Sequence, residues 1–218
     1  MQETFYMKSK GTVITDAGLK VVVKSEQEVW KLSNTEMYQV IEKYQTKGIN
    51  MGQTNAEQIY IINNDSYIKT SNNVWLNGNE ISSNFDGLNW QQTNNKTSTI
   101  LHYTFNKHTI LNADDLIIFY NSDGSIHHYS AEFNLSTTIG IDNYANVIKN
   151  NTGGMVKEKP LFKTIKMRLE IDNFGNLTQL YSYEQCTLNV GIEANLTNEF
   201  NYEFFPLTNS PQIEKPNI

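Results

Sequence analysis

Apolar and polar residues alternate along most of the chain with a period of two, the spacing of a strand that hides one face and wets the other. The clearest stretch is 192–205. There Ile192, Ala194, Leu196, Phe200, Tyr202 and Phe204 alternate with Glu193, Asn195, Thr197, Glu199, Asn201 and Glu203. Upstream, Ile165, Met167, Leu169 and Ile171 alternate with Thr164, Lys166, Arg168 and Glu170. A third strand, 177–190, follows a turn built from Asp172, Asn173, Phe174, Gly175 and Asn176, a run rich in residues that accept positive φ. Three consecutive antiparallel strands are predicted.

The N-terminal half reads the same way, with strands at 4–15, 20–32, 36–46, 57–63, 67–70 and 74–76. Asp16-Ala17-Gly18, Ser33-Asn34-Thr35 and Asn63-Asn64-Asp65-Ser66 punctuate them. A further hairpin runs over 115–120, turns at Ser122-Asp123-Gly124-Ser125 and returns over 126–133. Several strands are long and keep one polar face, which suits a large, strongly curved antiparallel sheet better than a compact sandwich. Two stretches break the period. In 136–151, Ile141, Tyr144, Ala145 and Ile148 fall on one helix face, and Gly153-Gly154 supplies the stop. In 79–90, Ile81, Phe85 and Leu88 give a weaker helix or ordered loop. Each must lay its apolar side on the sheet. The fold class is mainly β (α+β), one domain over 1–208 with a tail at 209–218.

Composition narrows the function. The chain has 218 residues, 39% hydrophobic and 18% charged, which is globular rather than disordered. A net charge of -6 and no visible basic patch argue against nucleic acid. No apolar run approaches the ~20 residues of a spanning helix. Asn accounts for 29 residues, a sign of exposed polar surface or an AT-rich genome. Residues 1–12 carry no secretory pattern, so the expectation is a cytosolic chain or one whose leader was removed.

Candidate chemistry is sparse. His127 and His128 are adjacent, and neighbours on a strand face opposite sides, so they are not expected to chelate one metal together. His102 and His108 lie six apart with no supporting carboxylate spacing. Cys186 shares an alternating face with Leu180, Leu188 and Val190 and reads as a small buried hydrophobe, and as the lone cysteine it forms no internal disulfide. Asp114 and Asp115 precede a strand, and Glu193, Glu199 and Glu203 form a solvated face rather than an acid/base pair. Gly153-Gly154 with Lys157 lacks the phosphate-loop pattern. Six Asn-x-Ser/Thr sequons are what so much Asn and Thr produces by chance. No catalytic residue, metal or cofactor is expected.

A resemblance enters with Glu57-Gln58-Ile59-Tyr60-Ile61, then Asn64-Asp65-Ser66-Tyr67-Ile68-Lys69, then Asn73-Val74-Trp75. With the long polar strands before it and the strand–turn–strand–strand–Pro ending from Met167 to Pro206, this order resembles the LolA/LppX-like superfamily of bacterial lipoproteins, in particular its functionally obscure Gram-positive ectodomains. The resemblance covers nearly the whole chain through pattern and order. It implies a half-open β-barrel of about ten or eleven strands with short helices over the concave face. Members shuttle or sequester acyl chains between sheet and helices. The lipidated N-terminal cysteine of such proteins has no counterpart here, since Cys186 is mid-strand.

The resulting expectation is a non-enzymatic envelope lipoprotein ectodomain on the extracytoplasmic face of a bacterium, lipid-anchored in its full-length precursor. Its ligand would be a lipid or other hydrophobic molecule. The cleft is assigned to Ile59, Ile61, Ile165, Met167, Leu169, Ile192, Leu196, Phe200, Tyr202 and Phe204 on the sheet and to Ile141, Tyr144 and Ile148 on the helical cover. The alternative is the same fold with a filled core, an envelope protein–protein interaction module using Trp75 or Trp90 as its anchors. Nucleic acid is excluded as a partner, and another envelope protein remains open.

Overall fold

The computed structural model describes residues 4–33, 36–48, 54–62, 65–69, 75–77, 108–114, 116–142, 145, 156 and 158–208. Among them are twelve strands: β1 (Phe5–Asp16), β2 (Lys20–Lys31), β3 (Glu36–Lys47), β4 (Thr54–Ile62), β5 (Asp65–Lys69), β6 (Trp75–Asn77), β7 (Ile110–Ala113), β8 (Ile117–Tyr120), β9 (Ile126–Leu135), β10 (Leu161–Asp172), β11 (Leu177–Asn189) and β12 (Glu193–Phe205). All belong to one antiparallel sheet in the order β6-β5-β4-β3-β2-β1-β12-β11-β10-β9-β7, with β8 also paired to β9. The sheet is open, not closed into a barrel. Among the described residues β6 forms one edge, and β7 with β8 forms the other.

The turns form where the sequence supplies their chemistry. Between β10 and β11, Asp172 Oδ1 accepts from the backbone N–H groups of Phe174 (2.9 Å) and Asn176 (2.8 Å). Gly175 there has φ +86°, which a Cβ would oppose. Those bonds hold the Asp172 carboxyl below its usual range, with burial acting the other way. The join that no local signal announces is β1 with β12, the first strand beside the last, paired from Tyr6↔Phe205 to Asp16↔Asn195. It sets two meanders back to back in the middle of the sheet.

Pairing fixes the faces. Met7 lies opposite Phe204 and Val29, Leu180 opposite Tyr202, and Met167 opposite Ser182, so all share one face. This is the apolar face. Its larger cluster buries Leu135, Phe162, Ile165, Met167, Leu180, Cys186, Leu188 and Ala194 beneath Ile141, Ala145 and Val156. Its smaller cluster holds Phe5, Met7 and Val29. Of the helix expected over 136–151, the described residues show one α-type bond, from Ala145 N–H to the Ile141 carbonyl at 2.8 Å. The stretch 79–90 lies outside the described residues.

Three local differences from the sequence reading have physical causes. β7 has no counterpart in the sequence reading, because its four residues, Ile110-Leu111-Asn112-Ala113, neither alternate in polarity nor alternate in burial. The last strand starts at Glu193, not Ile192. Gly191 (φ +95°) and the Val190 N–H bond to the Ile192 carbonyl (3.1 Å) put Ile192 in the turn. Finally, His127 and His128 do meet, with Nδ1 atoms 2.5 Å apart, because the register shifts between Phe119 and Tyr120 and leaves His127 as the extra residue of a bulge.

Candidate functional site

The apolar face is covered unevenly, and Phe5, Met7 and Ser9 are buried on β1 beside half-buried neighbours on β2 and β12. On β10, β11 and the start of β12 it is sealed: Ile165, Met167, Leu180 and Ala194 are each no more than 2% exposed. On β2 the same face presents Val21, Val23, Gln27 and Val29 with Ser25, and only Ser25 and Val29 are buried. Across the seam, Leu196, Tyr202 and Phe204 are partly buried and pack against the sealed cluster. Phe200 lies over Gly11, where an added Cβ would fall 2.1 Å from its ring.

The cleft residues predicted from sequence therefore fall into four groups. Ile165, Met167, Leu169, Leu196, Phe200, Tyr202 and Phe204 share the apolar face, and Ile141 covers it. Ile59 and Ile61 sit in register opposite Gln39 and Met37 on the same sheet. Ile192 stands apart from that face, 58% exposed in its turn. Tyr144 and Ile148 lie outside the described residues.

Sequence reasoning missed Glu184. It occupies the apolar face between Ile165 on β10 and Asn198 on β12, and it is 8% exposed. Asn198 Nδ2 donates to Glu184 Oε1. Burial pushes the Glu184 carboxyl up to about 8, opposed only in part by the Asn198 bond. At neutral pH it is therefore mostly a neutral acid able to donate a hydrogen bond inside a greasy wall. The signal was available: Leu180, Ser182, Glu184, Cys186 and Leu188 share one parity, and one carboxylate interrupts an otherwise uncharged row.

The neighbouring groups follow the same physics. Burial, and then the Glu184 charge, raises the Cys186 thiol to about 12, with Lys163 pulling weakly the other way. Such a thiol is a poor nucleophile. The Tyr202 hydroxyl is raised far above its usual range by burial and by Glu184, against a hydrogen bond to Ser182. No group of three or more His, Cys, Asp or Glu fit to hold a metal occurs among the described residues. His128 Nε2 lies 4.0 Å from Glu170 Oε2 beside the bulged histidine pair.

The opposite face is solvated and carries pairs such as Lys8–Glu28 (3.8 Å) and Lys10–Glu26 (3.1 Å). Across it runs an aromatic row. Phe205, Tyr6, Trp30 and Tyr38 are directly opposed on β12, β1, β2 and β3, with centroids 5.7, 5.0 and 5.5 Å apart in turn. Tyr60 on β4 is next in register, buried, and its hydroxyl donates to Glu36 Oε1 at 2.5 Å. Burial and that bond raise the Tyr60 hydroxyl to about 12. Trp90 lies outside the described residues, and Trp75 opens β6 at a sheet edge.

No family model matches the chain, and no curated protein does. Among solved structures, one similar chain is a domain from Vibrio parahaemolyticus described as an outer membrane lipoprotein-sorting protein domain. It is 8% identical over 95% of this chain and 87% of that one, with a TM-score of 0.33. Another is a LolA superfamily protein from Nitrosomonas europaea, 12% identical over 96% and 88%, with a TM-score of 0.31. The functional reading rests on the chain's own two faces.

Proposed function

We propose that the chain is a non-enzymatic ectodomain of the bacterial cell envelope, on its extracytoplasmic side, that binds a lipid or other hydrophobic ligand against the apolar face of its sheet. The observation that carries this reading is the unequal cover of that face. Over β10, β11 and the start of β12 the apolar side chains are sealed under Ile141, Ala145 and Val156, and Phe5, Met7 and Val29 are buried at one end of β1 and β2, whereas Val21, Val23 and Met37 remain half-buried. Apolar surface left half-wet gains free energy from whatever covers it. An acyl chain fits that need. Each buried CH₂ is worth about 0.8 kcal/mol, so ten would supply roughly 8 kcal/mol before ordering costs, near the micromolar range. The ligand is held between the β1–β3 half of the face and the Phe200–Phe204 seam. The envelope location is supported by the resemblance of the strand order.

Native mass spectrometry of protein purified from cells tests the reading. A co-purifying fatty acid or lipid, lost on organic extraction and regained on incubation with the lipid, is the expected result. Lipid-free protein that stays indifferent to added fatty acids and phospholipids overturns it.

A further inference from the structure

Among the described residues, the β8 edge of the sheet carries an exposed apolar run. β8 pairs with β9 on one side, and its other backbone edge meets no strand among the described residues. Leu116, Ile117, Ile118, Phe119 and Tyr120 form an uncharged run that is between 38% and 62% exposed on both faces. Native sheets blunt such edges with charges, prolines or bulges, because an open row of N–H and C=O groups templates another strand. This run contains no charge and no proline, and the one register shift along it, between Phe119 and Tyr120, places the extra residue, His127, on β9.

We propose that β8 pairs antiparallel with β8 of a second copy of this chain, about a two-fold axis through Ile118. That register sets Ile118 opposite itself, Ile117 opposite Phe119 and Leu116 opposite Tyr120. Every cross-strand pair is then apolar on apolar, and because such a contact is isologous it closes as a dimer. Centring the axis on Phe119 instead is disfavoured, since that register would set Asp115 opposite Asp123 of the other copy. The pairing works whichever of the two backbone patterns Ile118 adopts toward β9, because a residue on the two-fold can occupy a hydrogen-bonded or a non-hydrogen-bonded site.

Area sets the strength. With aromatic side chains of roughly 200 Å², the five residues offer roughly 500 Å² per copy, below the ~800 Å² of a standard stable interface. The dimer is therefore weak and concentration-dependent. Each copy carries a formal charge of -6, so added salt tightens it by screening the repulsion.

Sedimentation velocity of the full chain across low to high micromolar concentrations is the first measurement. A reversible dimer that strengthens with salt is expected. Ile118→Lys places two like charges on the axis and weakens association by about tenfold or more, while circular dichroism shows the sheet intact. A chain that stays monomeric throughout overturns the proposal, as does assembly that Ile118→Lys leaves unchanged. Cysteine cross-linking reads the register independently of that variant's folding. Cys186, the lone native cysteine, is buried, so Ile118→Cys supplies the accessible thiol. Mild oxidation should link Ile118→Cys into dimers much faster than Phe119→Cys, whose counterpart lies two positions away along the strand. Equal rates contradict the two-fold at Ile118.

Discussion

The two halves of the apolar face obey one sequence rule and end in different states. On β10 and β11 alternation becomes alternating burial, with Met167 and Leu180 each 1% exposed. On β2 Val21 and Val23, which lie on that same face, stay half-buried. The strands do not differ in kind. What differs is cover: Ile141, Ala145 and Val156 lie over one half, whereas on β2 burial is confined to Ser25 and to Val29, which packs with Phe5 and Met7. A period-two pattern chooses which side chains share a face, but only a second layer removes that face from water.

The largest expected effect breaks the comparison if it fails. Met167→Ala should cost about 2–5 kcal/mol in urea unfolding, the range for truncating a sealed core residue. Val23→Ala, on the half-open side, should cost about 1 kcal/mol or less in ligand-free protein. Equal losses at the two sites would mean that the β2 face is as dry as the β10 face.

Next comes the carboxyl inside the wall. Below about 4.5, Glu184 is protonated both folded and unfolded. Between 4.5 and about 8 the unfolded chain releases a proton that the folded one keeps, so this residue makes stability fall as pH rises, and above about 8 its contribution is flat. Glu184→Gln should therefore leave stability near pH 4 almost unchanged and raise it by about 2–4 kcal/mol at pH 8, less than the full linkage because an amide must also be buried. Chemical denaturation across that pH range checks it. A Glu184→Gln profile parallel to wild type would show that Glu184 ionises normally.

A smaller effect sits on the polar face, where the aromatic row bridges the seam between the halves. A double-mutant cycle of Tyr6→Ala and Trp30→Ala should return a coupling of about 1 kcal/mol, as for stacked cross-strand rings. Zero coupling would leave the row as mere proximity. Smallest of all, Lys10→Gln should change stability by less than about 0.5 kcal/mol, because its pair with Glu26 is exposed on both sides.

Most strands were legible because their signal is local. The alternation in β10 to β12 and the Asp172–Asn176 turn are written in adjacent residues. The pairing of β1 with β12 was not, since it joins residues nearly the whole chain apart, and with it went the aromatic row that exists only in that register. Ile192 was misplaced because its parity matches the strand while Gly191 has already turned the backbone. The histidine pair was misjudged because a one-residue bulge cancels the rule that strand neighbours point apart. Glu184 does not fit a carboxylate-pair pattern; its signal is a single carboxylate on the uncharged row Leu180, Ser182, Cys186 and Leu188, partnered by Asn198 across the strands.

The central claim is that the half-open part of the apolar face holds a hydrophobic ligand. The direct measurement is titration of delipidated protein with a fluorescent long-chain fatty acid, comparing wild type with Val23→Glu on β2. Saturable binding in the wild type that falls at least about tenfold in Val23→Glu, with the fold retained, is the predicted result. Absence of binding to the wild type, or equal binding by the two proteins, would contradict it.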